Sequence, residues 1–145
     1  MKILFICRGN VGRSQMAEAI FNNILDGTVI STSAGTIVEN KDGESRDGVA
    51  LANTNGAENV IASMAEIGVD VGGNVRTQLT PEILDECDVA VVMAEPETIP
   101  DYLQKSDKMI TWEVEDPKGM DLEATSEVRD QIESLINDLL LDLNL

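Results

Sequence analysis

The chain has 145 residues, within the roughly 100–200 expected of one domain, and its 10 Lys+Arg against 27 Asp+Glu give a formal charge of −17. It contains no histidine, which excludes imidazole-held zinc or haem and any Ser-His or Cys-His nucleophile pair. The acidity argues against nucleic acid or an anionic membrane as partner, because both repel such a surface.

A hydrophobic fraction of 43% supports a packed core, and aromatics at 3% leave Ile, Leu, Val, Ala and Met to build it. No apolar run approaches the ~18 residues of a membrane helix. The apolar start at Met1–Ile6 is cut off by Cys7-Arg8, too soon for a signal peptide. A cytoplasmic monomer is therefore expected. Cys7 and Cys87 make neither a disulfide framework nor a CxxC metal pattern, and no metal or other cofactor is expected.

In chain order, Lys2–Ile6 reads as a buried strand. Ser14–Leu25 places Met16, Ala17, Ile20, Phe21 and Ile24 at helical spacing and stops at Asp26-Gly27. Thr28–Ser33 reads as a second strand. The polar, Gly- and Asn-rich stretch from Gly35 to Gly56 is too long for an idle loop, so it is an active-site loop or is partly helical around Val49–Ala52. A second helix is expected over Ala57–Ile67, stopped by Gly68, and a short third one opening at Thr80-Pro81-Glu82. Val89–Met93 is a third, uniformly apolar strand, Pro96–Leu103 a short helix and Lys108–Val114 a fourth strand. After a turn at Asp116–Gly119, Leu122–Leu145 closes the chain as a long amphipathic helix. Strands that alternate with helices and read as continuous apolar runs predict an α/β fold: a four-stranded parallel sheet with helices on both faces, in one domain over residues 1–145.

The charge is unevenly placed. Residues 1–17 carry Lys2, Arg8 and Arg13 and no acid, so this segment is +3; the other seven basic and all 27 acidic side chains leave −20 on the rest. Inside the positive segment lies Cys7-Arg8-Gly9-Asn10-Val11-Gly12-Arg13-Ser14, running from strand end into helix. Glycines and an asparagine permit the dihedrals that turn successive backbone N–H groups inward. Such a nest at a helix N-terminus suits a tetrahedral oxyanion. Arg13 can hold two of that anion's oxygens. The same positive field favours the thiolate of Cys7 without a histidine. Ser14 can donate its hydroxyl to the sulfur, and Arg8 faces solvent. The candidate catalytic residues are thus Cys7, Arg13 and Ser14, with Arg8, Gly9, Asn10, Val11 and Gly12 as the binding loop.

This loop resembles that of the low-molecular-weight protein tyrosine phosphatase family and its arsenate reductase relatives. The resemblance continues through Gln15–Ala19, Ser33–Thr36, Gln78–Thr80 and Asp116-Pro117, and so covers nearly the whole chain. It implies attack by Cys7 on phosphorus, a phosphocysteine intermediate, stabilisation by Arg13 and the loop amides, and Asp116 as general acid and then base. Phosphorylated proteins or small phosphomonoesters would be the substrates, with phosphate or another tetrahedral oxyanion in the loop. The sequence departs from the family at several points. Lys118-Gly119 and Ile37–Asn40 stand where aromatics would wall a phenyl ring, Asn74 where a loop-supporting histidine is usual, Thr77 for an arginine, and Gly12 for a second loop cysteine. Two alternatives stay open: an arsenate reductase pairing Cys7 with an external thiol, because Cys87 alone does not supply the two further cysteines of the thioredoxin-coupled type, or a non-catalytic oxyanion-binding module.

Overall fold

The computed structural model describes residues 1–25 and 27–145. Four strands, β1 (Lys2–Cys7), β2 (Ile30–Gly35), β3 (Val89–Val92) and β4 (Met109–Thr111), form one sheet in the order β2-β1-β3-β4, all parallel. Among the described residues five helices surround it: α1 (Arg13–Ile24), α2 (Glu58–Ala65), α3 (Pro81–Asp85), α4 (Asp101–Gln104) and α5 (Leu122–Asp142).

Strand alternation sorts β1 between two cores. Ile3, Phe5 and Cys7 join a large cluster with Met16, Ile20 and Phe21 of α1, Val60 and Met64 of α2, and Ile132 and Ile136 of α5. Leu4 and Ile6 point to the opposite face, against Leu84, Cys87 and Leu103 beside α3 and α4. Each such buried Leu, Ile or Phe contributes on the order of 1.5–3 kcal/mol. The few aromatics gather at one place: Phe5 packs edge-on to Phe21, with ring centroids 5.8 Å apart, and lies 5.8 Å from Trp112. The expected three-layer α/β architecture is the one observed.

The boundaries differ in instructive ways. β2 begins and ends two residues later than expected, because its pairing with β1 runs from Lys2–Ile30 to Cys7–Gly35. Gly35 is thereby delivered beneath the loop that follows Cys7. The single helix expected over Pro96–Leu103 is a 3-10 turn at Pro96–Thr98 followed by α4. Pro100 divides them by holding Ile99 in an extended conformation. β4 is shorter than Lys108–Val114, because the chain leaves the sheet after Thr111 and turns the Val114 carbonyl toward Arg13. The helix-ending pair Asp26-Gly27 includes Asp26, which lies outside the described residues. Between Gly35 and Gly56 the partly helical expectation holds at a 3-10 turn over Leu51–Asn53, while Glu39 bridges Ser45 and Ala50 bridges Val75. Among the described residues no helix is long and apolar enough to cross a membrane.

Candidate active site

β1 ends at Cys7, α1 begins at Arg13, and the five residues between them wrap around the thiol. Among the described residues, no backbone N–H from Arg8 to Ser14 finds an acceptor within the protein, and α1 has no side-chain cap at its N-terminus. A run of free amides at a helix start makes a positive concavity suited to an anion. Cys7 lies in it with Sγ 2.9 Å from the Ser14 hydroxyl. A hydroxyl placed there stabilises a thiolate by donating to it.

Asn10 holds the loop in shape. Its φ of 54° is left-handed, a conformation asparagine tolerates better than most residues, and its side chain is fully buried. The amide donates to the hydroxyls of Ser14 at 2.7 Å and Ser33 at 3.0 Å. Its oxygen accepts from the Thr77 N–H at 2.8 Å and from Gln15 at 3.2 Å. Asn10 thus serves the binding loop through its backbone and this network, while Cys7, Arg8, Gly9, Val11, Gly12 and Arg13 face the cavity. Asn74, which stands where the family usually has a loop-supporting histidine, makes among the described residues only backbone hydrogen bonds, with Leu51 and Val71.

Two glycines are required by close approach. A Cβ on Gly35 would lie 2.6 Å from the Arg8 carbonyl and 2.9 Å from the Asn10 nitrogen. A Cβ on Gly12 would lie 2.9 Å from Pro117, so the segment carrying Asp116 packs directly onto the loop. The same contact leaves no space for a second loop cysteine at position 12.

Arg13 is 4% exposed and ties three segments together. Its Nη1 donates to the carbonyls of Met93, at the end of β3, and Val114. Its Nη2 pairs with Glu95 at 2.9 Å and stands 3.7 Å from Asp116 Oδ2. Both Nη atoms of Arg13 are thus engaged with protein acceptors, so the expected hold on two anion oxygens is not preformed, and Glu95 is a site residue that sequence reasoning missed. The other oxygen of Glu95 is buried without a partner. Asp116 is half-exposed at the cavity wall, its Oδ1 accepting from the Lys118 N–H at 3.0 Å.

Arg76 is the second residue that was missed. It lies on the segment that runs beside the loop, joined to it by the Gly35–Gln78 bridge, and its Nε donates to the Gly9 carbonyl at 3.1 Å. Burial pushes its pKa down and the nearby Arg46 pushes it further, while the Cys7 sulfur pulls it back up. Arg8 is exposed at the rim, as expected.

Cys7, Arg8, Arg13, Arg76 and Asp116 open on one cavity of about 1160 Å³, walled by the 37–60 segment and by residues 116–120. No Phe, Tyr or Trp lines it, in keeping with the missing aromatic positions. Cys87 lies elsewhere. It is buried among the α3 and α4 residues on the opposite face of the sheet, donates to the Leu84 carbonyl at 3.2 Å, and burial raises its thiol pKa. Among the described residues no cluster of His, Cys, Asp and Glu could hold a metal ion.

The family model described as low molecular weight phosphotyrosine protein phosphatase matches residues 2–145. The glutaredoxin arsenate reductase of Synechocystis is 26% identical, over 99% of this chain and 98% of its own. The crystal structure of a low molecular weight protein tyrosine phosphatase from T. tengcongensis superposes with a TM-score of 0.79 at 27% identity, covering 98% of this chain and 99% of that one. An arginine phosphatase from Geobacillus stearothermophilus gives 0.78 at 25% identity, covering 99% and 92%.

Proposed function

The chain belongs to the low molecular weight phosphotyrosine protein phosphatase family, and from that premise we propose that it is a cysteine-dependent phosphatase. It would hydrolyse phosphate monoesters or phosphorylated protein side chains, acting as a cytoplasmic monomer whose site thiol is kept reduced. One observation carries the reading: a run of free amides follows Cys7 at the start of α1, and Asp116 lines the same cavity, 3.7 Å from Arg13.

In the first step Cys7 Sγ attacks phosphorus, the P–O bond to the leaving group breaks, and the leaving oxygen takes a proton from Asp116. The loop amides meet the charge on the equatorial oxygens, and Arg13 joins them when Glu95 releases its Nη2. In the second step water attacks phosphorus, the S–P bond breaks, and the Asp116 carboxylate accepts the water's proton. Ser14 steadies the departing sulfur through its 2.9 Å contact. The Glu95 pair would hold the Arg13 guanidinium in place between turnovers.

Reduction of arsenate is the second reading, favoured by the name of the Synechocystis relative. Reducing arsenate to arsenite oxidises two thiols to a disulfide. Cys87 is on the far side of the sheet from Cys7, so the second thiol would have to come from an external small thiol or a redox protein.

The test is hydrolysis of phenyl phosphate, a substrate with a poor leaving group. Asp116→Ala should lower kcat on it by roughly 10²–10³ and cost less on p-nitrophenyl phosphate, whose leaving group needs less protonation. Absence of wild-type turnover, with arsenate-dependent oxidation of an added thiol instead, would replace the phosphatase reading by the reductase one.

A further inference from the structure

In a protein of charge −17, six of the ten basic side chains line the one cavity above the phosphate loop: Arg8, Arg13, Lys41, Arg46, Arg76 and Lys118. Only three of the 27 acids, Glu39, Asp42 and Asp116, share that lining. The cavity is therefore locally +3 against the trend of the whole surface.

Of these six cations, Arg13 alone has an ion-pair partner among the described residues. The pairing is selective, since the buried Arg129, which does not line the cavity, is held by both Glu66 and Asp130. Arg46 and Arg76 are the telling pair. Arg76 is 6% exposed, anchored through Nε to Gly9, and neither of its Nη atoms has a protein acceptor. Arg46 is close enough to repel it, and within the protein its guanidinium has only a long 3.5 Å bond to the Ser45 carbonyl. Two neighbouring guanidinium groups, one of them desolvated and with no carboxylate between them, are costly unless an anion joins them. The phosphate loop has its own donors in the free amides of residues 8–14, so these two are surplus to holding a single phosphoryl group. The cavity's volume of about 1160 Å³ is likewise far larger than one tetrahedral oxyanion fills.

We propose that Arg46 and Arg76 form a second anion subsite beside the phosphate loop, so that the favoured substrate is a phosphoryl compound carrying a further negative group next to the phosphate. The inference rests on the phosphatase reading of the loop. The second group, a carboxylate or another phosphate, belongs to either of two sources: an acidic side chain flanking the phosphorylated residue of a protein, or a small doubly anionic phosphate compound. Selectivity then comes from charge spacing, where an aromatic wall is absent.

Non-hydrolysable ligands test this on the wild-type protein without requiring turnover. Calorimetry would compare benzylphosphonate with its para-carboxylate, and a phosphonomethyl-phenylalanine peptide flanked by alanines with one flanked by glutamates. The doubly charged member should bind at least about tenfold more tightly in one arm, and that arm identifies the source. Arg46→Ala should bring the ratio near one, Arg46→Lys should recover part of it, and Lys105→Ala, outside the cavity, should leave it as in wild type. Equal affinities in both arms, or a preference that survives Arg46→Ala, would overturn the subsite. Phenyl phosphate hydrolysis measured alongside reports separately on the phosphatase reading. An intact charge preference without turnover removes that reading and leaves the subsite standing.

Discussion

Cys7 and Cys87 are equally buried, at 2% and 3% exposure, yet they stand on opposite faces of one sheet in opposite surroundings. Cys7 ends a central strand beneath a run of free amides, with a hydroxyl at its sulfur and a cavity in front of it. Cys87 follows a short helix, gives its proton to a backbone carbonyl and is otherwise packed among Leu, Ala and Val. Burial alone does not decide what a thiol does. A hydroxyl at the sulfur, free amides nearby and space beside it suit a nucleophile; an acceptor and an apolar shell suit a packing residue. The same separation leaves no internal resolving thiol for Cys7, which favours hydrolysis over an internal disulfide relay.

Exchanging the sulfur atoms one at a time gives the largest effect. Cys7→Ser should lower kcat/KM on phenyl phosphate by more than about a thousandfold, because a hydroxyl in its place is a far poorer nucleophile. Cys87→Ser should change it by less than about twofold. A comparable loss in both variants would break the contrast and place Cys87 in the reaction.

Gly35 sharpens the contrast from below the loop. A methyl group there must displace the Arg8 carbonyl, the Asn10 nitrogen or the Val38 side chain, which a Cβ would meet at 2.6, 2.9 and 2.8 Å. Overpacking of this kind costs roughly 1–3 kcal/mol, and a loop shifted by a fraction of an ångström loses part of its oxyanion alignment. Gly35→Ala should lower kcat/KM by about ten- to a hundredfold and lower the urea midpoint. The alkylation rate of Cys87 in the folded protein should stay as it was. Unchanged kinetics in Gly35→Ala would show that the loop does not depend on this close approach.

The half of the candidate site that was legible in the sequence is the half built from local order. Cys7, Arg13 and Ser14 sit within eight consecutive residues between a strand and a helix, so spacing alone brought them together at one strand end. The half that was missed depends on pairing between distant segments. Arg76 reaches Gly9 because Gln78 bridges Gly35, and Glu95 meets Arg13 because β3 lies beside β1. Neither residue is marked by its neighbours in sequence. Asn10 was legible as a turn-former but not as a fully buried hub, because Ser33 and Thr77, which it joins, come from segments 23 and 67 residues away. The one signal available for Arg76 was charge: in so acidic a chain, basic residues are few enough to ask where each one goes.

The smallest expected effect concerns the alkaline behaviour of Cys87. Burial, with help from Asp88, raises its thiol pKa, and Lys108 and Lys2 offset part of the rise. A folded-state value above the unfolded one means that folding favours the protonated thiol. That contribution to stability is complete below the unfolded value of about 8.5 and is lost as pH climbs through the folded one. In a Cys7→Ser background, where Cys87 is the only thiol, adding Cys87→Ser removes this loss. The melting temperatures of the single and double variants should therefore differ by one amount at pH 7 and shift by about 1–2 °C in favour of the double variant at pH 10. A difference that stays constant across that range would mean that Cys87 ionises as readily in the folded protein as in the unfolded chain. The apolar face of the sheet would then be less dry than its packing implies, and the contrast between the two thiols would rest on the free amides around Cys7 alone.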